Sequence, residues 1–206
     1  MQVAGLLLVV AAIAAAVDHQ RPVSSPSTVS SPATLSSPLA AAPPIDRRRV
    51  EPPGPLGEAD GAVPSGTTVF DDEVPGVANL DPDLLGALRQ AATDAAGDGV
   101  EFFVDSGWRS PGYQEQLLDE AVVKYGSEQA AARWVATPNT SPHVSGDAID
   151  IGHSDAAAWL SEHGAKYALC QIYGNEPWHY ELRPEAIARG CPAMYADPTH
   201  DPRMQP

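Results

Sequence analysis

The segment SPHVSGDAID, residues 141–150, carries more information about fold and function than any other stretch of the chain. Small residues between His143 and Asp150 predict a tight turn, and residues 148–151 have the character of a short buried strand. On that strand the two isoleucines share the core face, so Asp150 points away from the core, towards whatever His143 faces across the turn. Histidine and aspartate are both metal ligands, and the segment therefore predicts a shared ion.

A third candidate ligand lies in EPWHY, residues 176–180, where His179 follows Glu176 by three positions beside aromatic residues. Together with the pair above, His179 predicts an open zinc site, because two imidazoles and one carboxylate leave a fourth tetrahedral position for water. Glu176 is then free to act as a base. In a regular strand Glu176 and His179 would face opposite sides, so Pro177 predicts that regular pairing begins after Glu176.

These two segments, with SGWRS at residues 106–110 and Tyr113-Gln114, resemble the zinc D-alanyl-D-alanine carboxypeptidases related to those of vancomycin resistance. That family has an S-G-[YW]-R-S segment, a later S-x-H-x-x-G-x-A-x-D segment and a terminal E-P-W-H segment, and all three stand here in the same order. The resemblance covers about residues 102–182 and implies a Hedgehog/DD-peptidase-like fold.

The resemblance also implies roles for individual residues. It implies one Zn²⁺ per chain, held by His143, Asp150 and His179. Glu176 would take a proton from the attacking water and later protonate the leaving amine, as the terminal D-alanine of a peptidoglycan stem peptide is hydrolysed. Arg109 would meet either the developing oxyanion or a substrate carboxylate, both of which suit a permanently charged guanidinium.

Four further side chains match positions near the substrate cleft of that family, and the resemblance implies that they contact the substrate. They are Ser106, Gln114, Ser141 and Trp178.

The periodicity of the remaining sequence predicts mixed helices and strands. Helices are expected at 82–96, 111–124, 127–134 and 154–163, and strands at 100–104, 148–151, 167–172 and 178–182. Because these elements do not follow a regular strand–helix repeat, they predict an α+β domain with a small antiparallel sheet and flanking helices. The domain is expected over residues 64–197, with a C-terminal tail at 198–206.

The first 63 residues are expected to lie outside that domain. Residues 1–17 are apolar over about fifteen positions, shorter than the ~20 that span a bilayer, and predict a signal peptide or an N-terminal anchor. Residues 18–63 are rich in Pro, Ser and Ala and predict a disordered linker. The protein is therefore expected outside the cytoplasm, secreted or membrane-anchored, and facing the cell wall.

Charge and cysteine content limit the partners. With 27 acidic and 12 basic residues, the formal net charge of -15 argues against binding to nucleic acid or to anionic lipid. A peptidoglycan stem peptide is the expected partner, membrane contact is expected only through the N-terminal segment, and the chain is expected to be a monomer. Cys170 and Cys191 are expected to form a disulfide, since an even pair in an exported protein is more often a disulfide than a metal site.

Three alternatives remain open. His153, three residues beyond Asp150, is a reserve metal ligand. The same site suits an L,D-carboxypeptidase or a peptidoglycan endopeptidase, and the short segment between Tyr167 and Glu176 leaves this preference open. A non-catalytic, zinc-stabilised cell-wall binding module needs neither Glu176 nor Arg109, so the presence of both argues against it.

Overall fold

The structure is a computed structural model that describes residues 56–205. The predicted signal peptide or anchor at 1–17 and residues 18–55 of the predicted linker lie outside the described residues. Within 56–205, no helix is both long and apolar enough to cross a membrane.

One antiparallel sheet organises the described chain. Its strands are β1 (Phe103–Ser106), β2 (Ala148–Gly152), β3 (Leu169–Gln171) and β4 (His179–Leu182), in the spatial order β1-β2-β4-β3. The two central strands, β2 and β4, pair so that Asp150 lies directly opposite His179. On the other side of β2, the register with β1 shifts between Val104 and Ser106, which brings Ser106 opposite Asp150. Residues from three strands therefore meet at one point.

Helices surround this sheet. The α-helices of the described residues are α1 (Pro75–Ala78), α2 (Pro82–Gly97), α3 (Pro111–Tyr125), α4 (Glu128–Ala131), α5 (Pro142–Ser145), α6 (Ser154–His163) and α7 (Ala186–Arg189). Short 3-10 helices cover Glu58–Asp60, Gly164–Tyr167, Pro198–His200 and Pro202–Met204.

The main core lies between the sheet and helices α2 and α6. Helix α2 begins where Asp81 accepts hydrogen bonds from the backbone N–H groups of Asp83 and Leu84, with Pro82 in its first turn. Its apolar face packs with residues of β2, β4 and α6. The core of this layer includes Leu84, Leu88, Ala91, Ile149, Ile151, Leu160 and Tyr180, all buried.

The structure confirms the predicted α+β class with a small antiparallel sheet and flanking helices. The largest differences are in element ends. The strand predicted at 100–104 begins only at Phe103, because its partner β2 ends opposite at Gly152 and the chain then turns into α6. Phe102 instead packs edge-on against Trp159 in the core. The helix predicted at 127–134 is regular only over Glu128–Ala131.

Residues just outside the predicted domain limits, before 64 and after 197, also pack against the domain. Before residue 64, Asp60 accepts a hydrogen bond from Ser110 Oγ at 3.1 Å, and Gly61 lies so close to Trp108 that a Cβ would approach its carbonyl oxygen to 2.1 Å. After residue 197, Asp201 is fully buried. These segments dock through hydrogen bonds and ion pairs, which apolar periodicity does not reveal, so they are part of the domain rather than linker and tail.

The predicted disulfide is confirmed. Cys170 on β3 and Cys191, two residues beyond α7, are bonded, with Cα atoms 5.5 Å apart. The bond closes a loop with a sequence separation of 21 residues. It links the edge strand β3 to the chain that leads to residues 197–204, the C-terminal segment. A cross-link over such a loop restricts the unfolded chain and stabilises the native state.

We expect the Cys170→Ala/Cys191→Ala variant to lose about 2–4 kcal/mol of unfolding free energy, because the unfolded chain regains the entropy of the open loop. Urea denaturation followed by circular dichroism measures this difference. As a control, a reductant should destabilise the native chain by a similar amount and leave the double variant unchanged. Equal stability of the oxidised native chain and the variant would contradict the expectation.

Candidate metal centre and catalytic cleft

Three elements bring the predicted metal ligands together. Asp150 comes from β2 and His179 from the start of β4, in directly paired positions. His143 comes from the single turn α5, which ends at Gly146 in the left-handed region, with φ of 84°. A Cβ at Gly146 would lie 2.6 Å from the carbonyl oxygen of Asn79, so only glycine allows the chain to turn here from α5 into β2.

The geometry of these three side chains fits a zinc ion. His143 Nε2 lies 3.3 Å from His179 Nδ1 and 3.4 Å from Asp150 Oδ1, and the last two atoms are 3.2 Å apart. A tetrahedral ion with ligand bonds of about 2.0–2.1 Å has ligands roughly 3.3–3.4 Å from one another. All three residues are buried, at 5%, 8% and 2% exposure for His143, Asp150 and His179. The triangle therefore has the size that such an ion requires.

Hydrogen bonds on the far side of each imidazole orient the ring. His143 Nδ1 lies 2.8 Å from the carbonyl oxygen of Gly107, which can only accept, so this nitrogen donates and Nε2 is left free towards the triangle. His179 Nε2 lies 3.2 Å from Glu181 Oε1, which leaves its Nδ1 to face the triangle. Partners of this kind fix the tautomer and direction of metal-binding histidines.

Burial and neighbouring charges shift the pKa values of all three groups. Burial, together with the nearby Arg109, lowers the pKa of His143. Burial would raise the pKa of Asp150, but the two histidines and Arg109 outweigh it and hold that pKa well below its usual value. Burial would also lower the pKa of His179, but hydrogen bonds with Asp150 and Glu181 raise it to about 9. A metal at Nδ1 must displace a proton, so its affinity falls as the pH falls.

Glu176 stands beside this triangle. It lies in the turn before β4, in which the backbone N–H of His179 donates to the carbonyl oxygen of Glu176 at 3.1 Å. Regular strand pairing therefore begins after Glu176, as predicted. Its Oε2 is 3.9 Å from His179 Nδ1, and its Oε1 is buried without a hydrogen-bond partner among the described residues. Burial raises the pKa of Glu176 to about 7, a value suited to proton transfer near neutral pH.

Arg109 closes the other side of the site. Its Nη2 donates to Asp150 Oδ2 at 2.9 Å, its Nε to Ser106 Oγ at 2.8 Å and its Nη1 to Gln114 Oε1 at 3.1 Å. Gln114 is itself held by the carbonyl oxygen of Ala136 at 2.8 Å. Ser106 and Gln114, which were expected to contact the substrate, thus have their side-chain oxygens directed at Arg109 and hold the guanidinium in place.

A cleft of about 310 Å³ opens from this cluster. Of the four predicted substrate contacts, Gln114, Ser141 and Trp178 line it, and Ser106 lies behind Arg109 instead. The outer wall is formed by side chains of α3, by the segment after α4 and by the C-terminal segment. These side chains include Leu117, Glu120, Lys124, Tyr125, Trp134, Pro198 and Met204.

The reserve ligand His153 does not join the cluster. It precedes α6 with a φ of 68°, is exposed, and its ring lies 4.7 Å from the ring of Phe103. Sequence analysis missed two other residues near the site, Glu181 and Arg203. The strand period could have identified Glu181, two positions after His179 and on the same face of β4. No local pattern points to Arg203.

Together, the α+β fold and an open triangle of two histidines and one aspartate, with a buried glutamate beside it, define a metallopeptidase-type site. Residues 77–185 match the family model VanY, described as D-alanyl-D-alanine carboxypeptidase. The match covers more than half of the chain, and the chain belongs to this family of enzymes. The family predicted from the three sequence motifs is thereby confirmed.

The chain is also similar to individual relatives. A D-alanyl-D-alanine carboxypeptidase of Enterococcus faecalis (strain ATCC 700802 / V583) is 35% identical over 118 residues, which cover 45% of this chain and 44% of the relative. The chain thus spans less than half the length of that relative. A mutant of the vancomycin-resistance D,D-pentapeptidase VanY, solved with Zn(II), is 30% identical, with a TM-score of 0.47 over 50% of this chain and 72% of that one.

The structure of the LdcB LD-carboxypeptidase is 24% identical, with a TM-score of 0.50 over 65% of this chain and 73% of that one. This likeness supports the fold.

The His179→Ala variant is expected to lose metal binding, because the remaining two ligands no longer enclose an ion. Equilibrium dialysis of the purified chain against Zn²⁺, with metal analysis, gives the stoichiometry. The matched control His153→Ala should keep the affinity of the native chain, since this histidine lies outside the cluster. If His179→Ala bound zinc at full occupancy and His153→Ala lost its zinc, His153 would be the ligand instead of His179.

Proposed function

We propose that this protein is a zinc-dependent D-alanyl-D-alanine carboxypeptidase that removes the terminal D-alanine of peptidoglycan stem peptides. The observation that carries the proposal is the triangle of His143, Asp150 and His179, with donor atoms 3.2–3.4 Å apart and buried Glu176 next to it. Membership of the carboxypeptidase family supplies the class of substrate.

The donor set fits zinc better than the hard cations. Two imidazole nitrogens and one carboxylate are typical zinc ligands, whereas Mg²⁺ and Ca²⁺ prefer oxygen alone. Three protein ligands also leave a position open, which distinguishes catalytic zinc sites from structural ones. Bound there, zinc would lower the pKa of a water molecule to about 7 and polarise the scissile carbonyl group.

Glu176 is the acid–base group of the proposed reaction. Its buried Oε1 lacks a hydrogen-bond partner among the described residues, so it is available to the attacking water. Burial raises the pKa of this carboxylate, which makes it a stronger base than an exposed glutamate. It can accept the proton of that water and then return it to the amine of the leaving D-alanine. The peptide C–N bond breaks as the amine is protonated, and the carboxyl group of the shortened peptide keeps the oxygen of the water.

Arg109 contributes positive charge to the same step. A guanidinium has five N–H donors. Three of them bind Ser106, Gln114 and Asp150; the other two have no partner among residues 56–205 and can donate to an oxygen of the substrate. Because Asp150 is also a proposed zinc ligand, its ion pair fixes the guanidinium next to the reacting carbonyl group. Arg109 therefore stabilises negative charge on that oxygen or on the terminal carboxylate.

The proposed place of action is outside the cytoplasm, as a monomer. The disulfide between Cys170 and Cys191 supports this location, because such bonds persist in oxidising compartments. The apolar segment at residues 1–17 agrees with it as an export signal or anchor.

Hydrolysis of a synthetic stem pentapeptide ending in D-Ala-D-Ala tests the proposed function. The zinc-loaded chain should release one alanine, seen by mass spectrometry, and a chelator should abolish the reaction until zinc is restored. A stem tetrapeptide and a cross-linked dimer serve as parallel substrates. Cleavage of either in place of the pentapeptide would assign an L,D-carboxypeptidase or an endopeptidase. No cleavage of any, at full zinc occupancy, would favour the binding module.

Glu176→Gln should reduce kcat by about 10²–10⁴-fold, because the amide cannot accept the proton of the water. Zinc binding should persist, since Glu176 is not one of the three ligands. Glu162→Gln, on the exposed face of α6, removes one carboxylate elsewhere and provides the control for charge. Steady-state kinetics with the peptide that the native chain cleaves, together with zinc analysis, measure both effects. An unchanged kcat in Glu176→Gln would show that Glu176 is not the acid–base group.

A further inference from the structure

The C-terminal segment, residues 197–204, packs on the side of His179 that faces away from the metal triangle. It follows the stretch matched by the family model, which ends at residue 185. Two of its side chains, Pro198 and Met204, line the cleft, and two of its carboxylates, Asp197 and Asp201, are buried. Residues 198–204, which were expected to belong to a tail, thus contribute side chains to the cleft.

The contact with the metal centre runs through Glu181. This carboxylate is only 1% exposed, and its Oε1 lies 3.2 Å from His179 Nε2. Arg203 binds the same carboxylate in a bidentate manner: Nη1 donates to Oε2 at 2.7 Å and Nη2 to Oε1 at 3.2 Å. Arg183 also binds this carboxylate, but only at Oε2. Arg203 therefore fixes the oxygen that faces His179.

Arg203 is itself held in a defined position. Its Nε donates to both oxygens of Asp201, at 3.1 and 3.0 Å, and Asp201 is fully buried. Tyr173 donates its hydroxyl to Asp201 Oδ2 at 3.0 Å, and the Tyr173 ring centroid lies 5.1 Å from that of His179. A closed circuit of contacts thus runs from His179 through Glu181, Arg203, Asp201 and Tyr173 back to His179.

We propose that Arg203 is a positioning residue, which acts through Glu181 to fix the ring orientation and the protonated nitrogen of His179. A carboxylate that accepts from Nε2 keeps the lone pair of Nδ1 directed at the metal. The guanidinium fork prevents rotation of that carboxylate and offsets the cost of burying it. The C-terminal segment, although outside the matched family region, thereby contributes to metal affinity.

This inference rests on the proposed function in one respect, that zinc is the ion bound by His179. Its test is the dissociation constant of zinc, measured by competition with a chromophoric chelator on the full chain. Arg203→Ala should weaken zinc binding about tenfold, the lower end of the effect of removing an outer partner of a ligand. Arg203→Lys, which keeps the charge but not the fork, should recover part of the loss.

A matched control removes another anchor of the same segment. Arg133 binds the buried carboxylate of Asp197 at 2.9 Å but touches neither Glu181 nor His179, and its side chain is 60% exposed. Arg133→Ala should leave zinc affinity within about twofold of the native chain, since it loosens the segment without freeing Glu181. Equal losses in Arg133→Ala and Arg203→Ala would show a general effect of docking and overturn the positioning role.

A double-variant cycle tests the route through Glu181. If Arg203 acts through this carboxylate, Arg203→Ala should change zinc affinity little when Glu181→Gln is already present. Fully additive losses would overturn the proposal, as would native zinc affinity in folded Arg203→Ala. Circular dichroism identifies variants that fail to fold, in which case Arg203→Lys, with its smaller loss, and Glu181→Gln carry the comparison.

Peptide hydrolysis separates this inference from the proposed function. A native chain that binds no zinc and cleaves no stem peptide would refute the proposed function. A native chain that binds zinc and cleaves the pentapeptide, with Arg203→Ala equal to it in zinc affinity and in both kcat and KM, would refute only the role of Arg203.

Discussion

Backbone hydrogen bonds between β2 and β4 set the register in which Asp150 faces His179. The side-chain period of a strand is two, so a slip of one residue would send either ligand to the opposite face of the sheet. The same slip would expose Ile149 and Tyr180, which are buried in the main core. The apolar core and the metal triangle thus require the same register, and burial of the core stabilises the arrangement of the ligands.

The sheet also concentrates charge in a buried place. The carboxylates of Asp150, Glu176 and Glu181 lie around His179, and each has a different environment. Burial alone would raise the pKa of Asp150 and of Glu181. The histidines His143 and His179 beside Asp150, with Arg109, and His179 beside Glu181, with Arg203 and Arg183, outweigh burial and lower the pKa of both carboxylates. Within residues 56–205 Glu176 forms no ion pair with an arginine, and burial raises its pKa. Three carboxylates around one histidine thus differ in their pKa because of what lies next to each, and the proposed division between metal ligand and proton-transfer group follows this difference.

Sequence reasoning identified the residues of the triangle because each motif is local, although the meeting of the two motifs depends on the pairing of β2 with β4. His143 and Asp150 are separated by one turn, and the strand period directs Asp150; Glu176 and His179 are separated by one proline-containing turn. The class of fold followed from the order of the elements in the same way. The spacing within each motif and the type of each helix or strand depend on neighbours within about ten residues, which a single sequence displays.

What the sequence did not predict depends on distant partners. The start of β1 is set by the end of β2, some fifty residues later. The side-chain oxygens of Ser106 and Gln114 bind Arg109, a contact that only the folded geometry shows, and their contact with substrate stays a prediction. Arg203 joins Glu181 across 22 residues by an ion pair without periodicity. Hydrogen bonds and ion pairs between distant residues leave no periodic pattern in the sequence, whereas an apolar helix or strand face does.

The contact between the 3-10 helix Glu58–Asp60 and the start of α3 extends the support of Arg109 to residues that precede the matched family region. Asp60 accepts from both the backbone N–H and the hydroxyl of Ser110, the residue that caps α3, and α3 carries Gln114 against Arg109. A chain that began after Asp60 would lose both acceptors of Ser110, whereas one that began before Gly57 would keep them. The point of truncation therefore decides whether α3 starts from a fixed position beside Arg109.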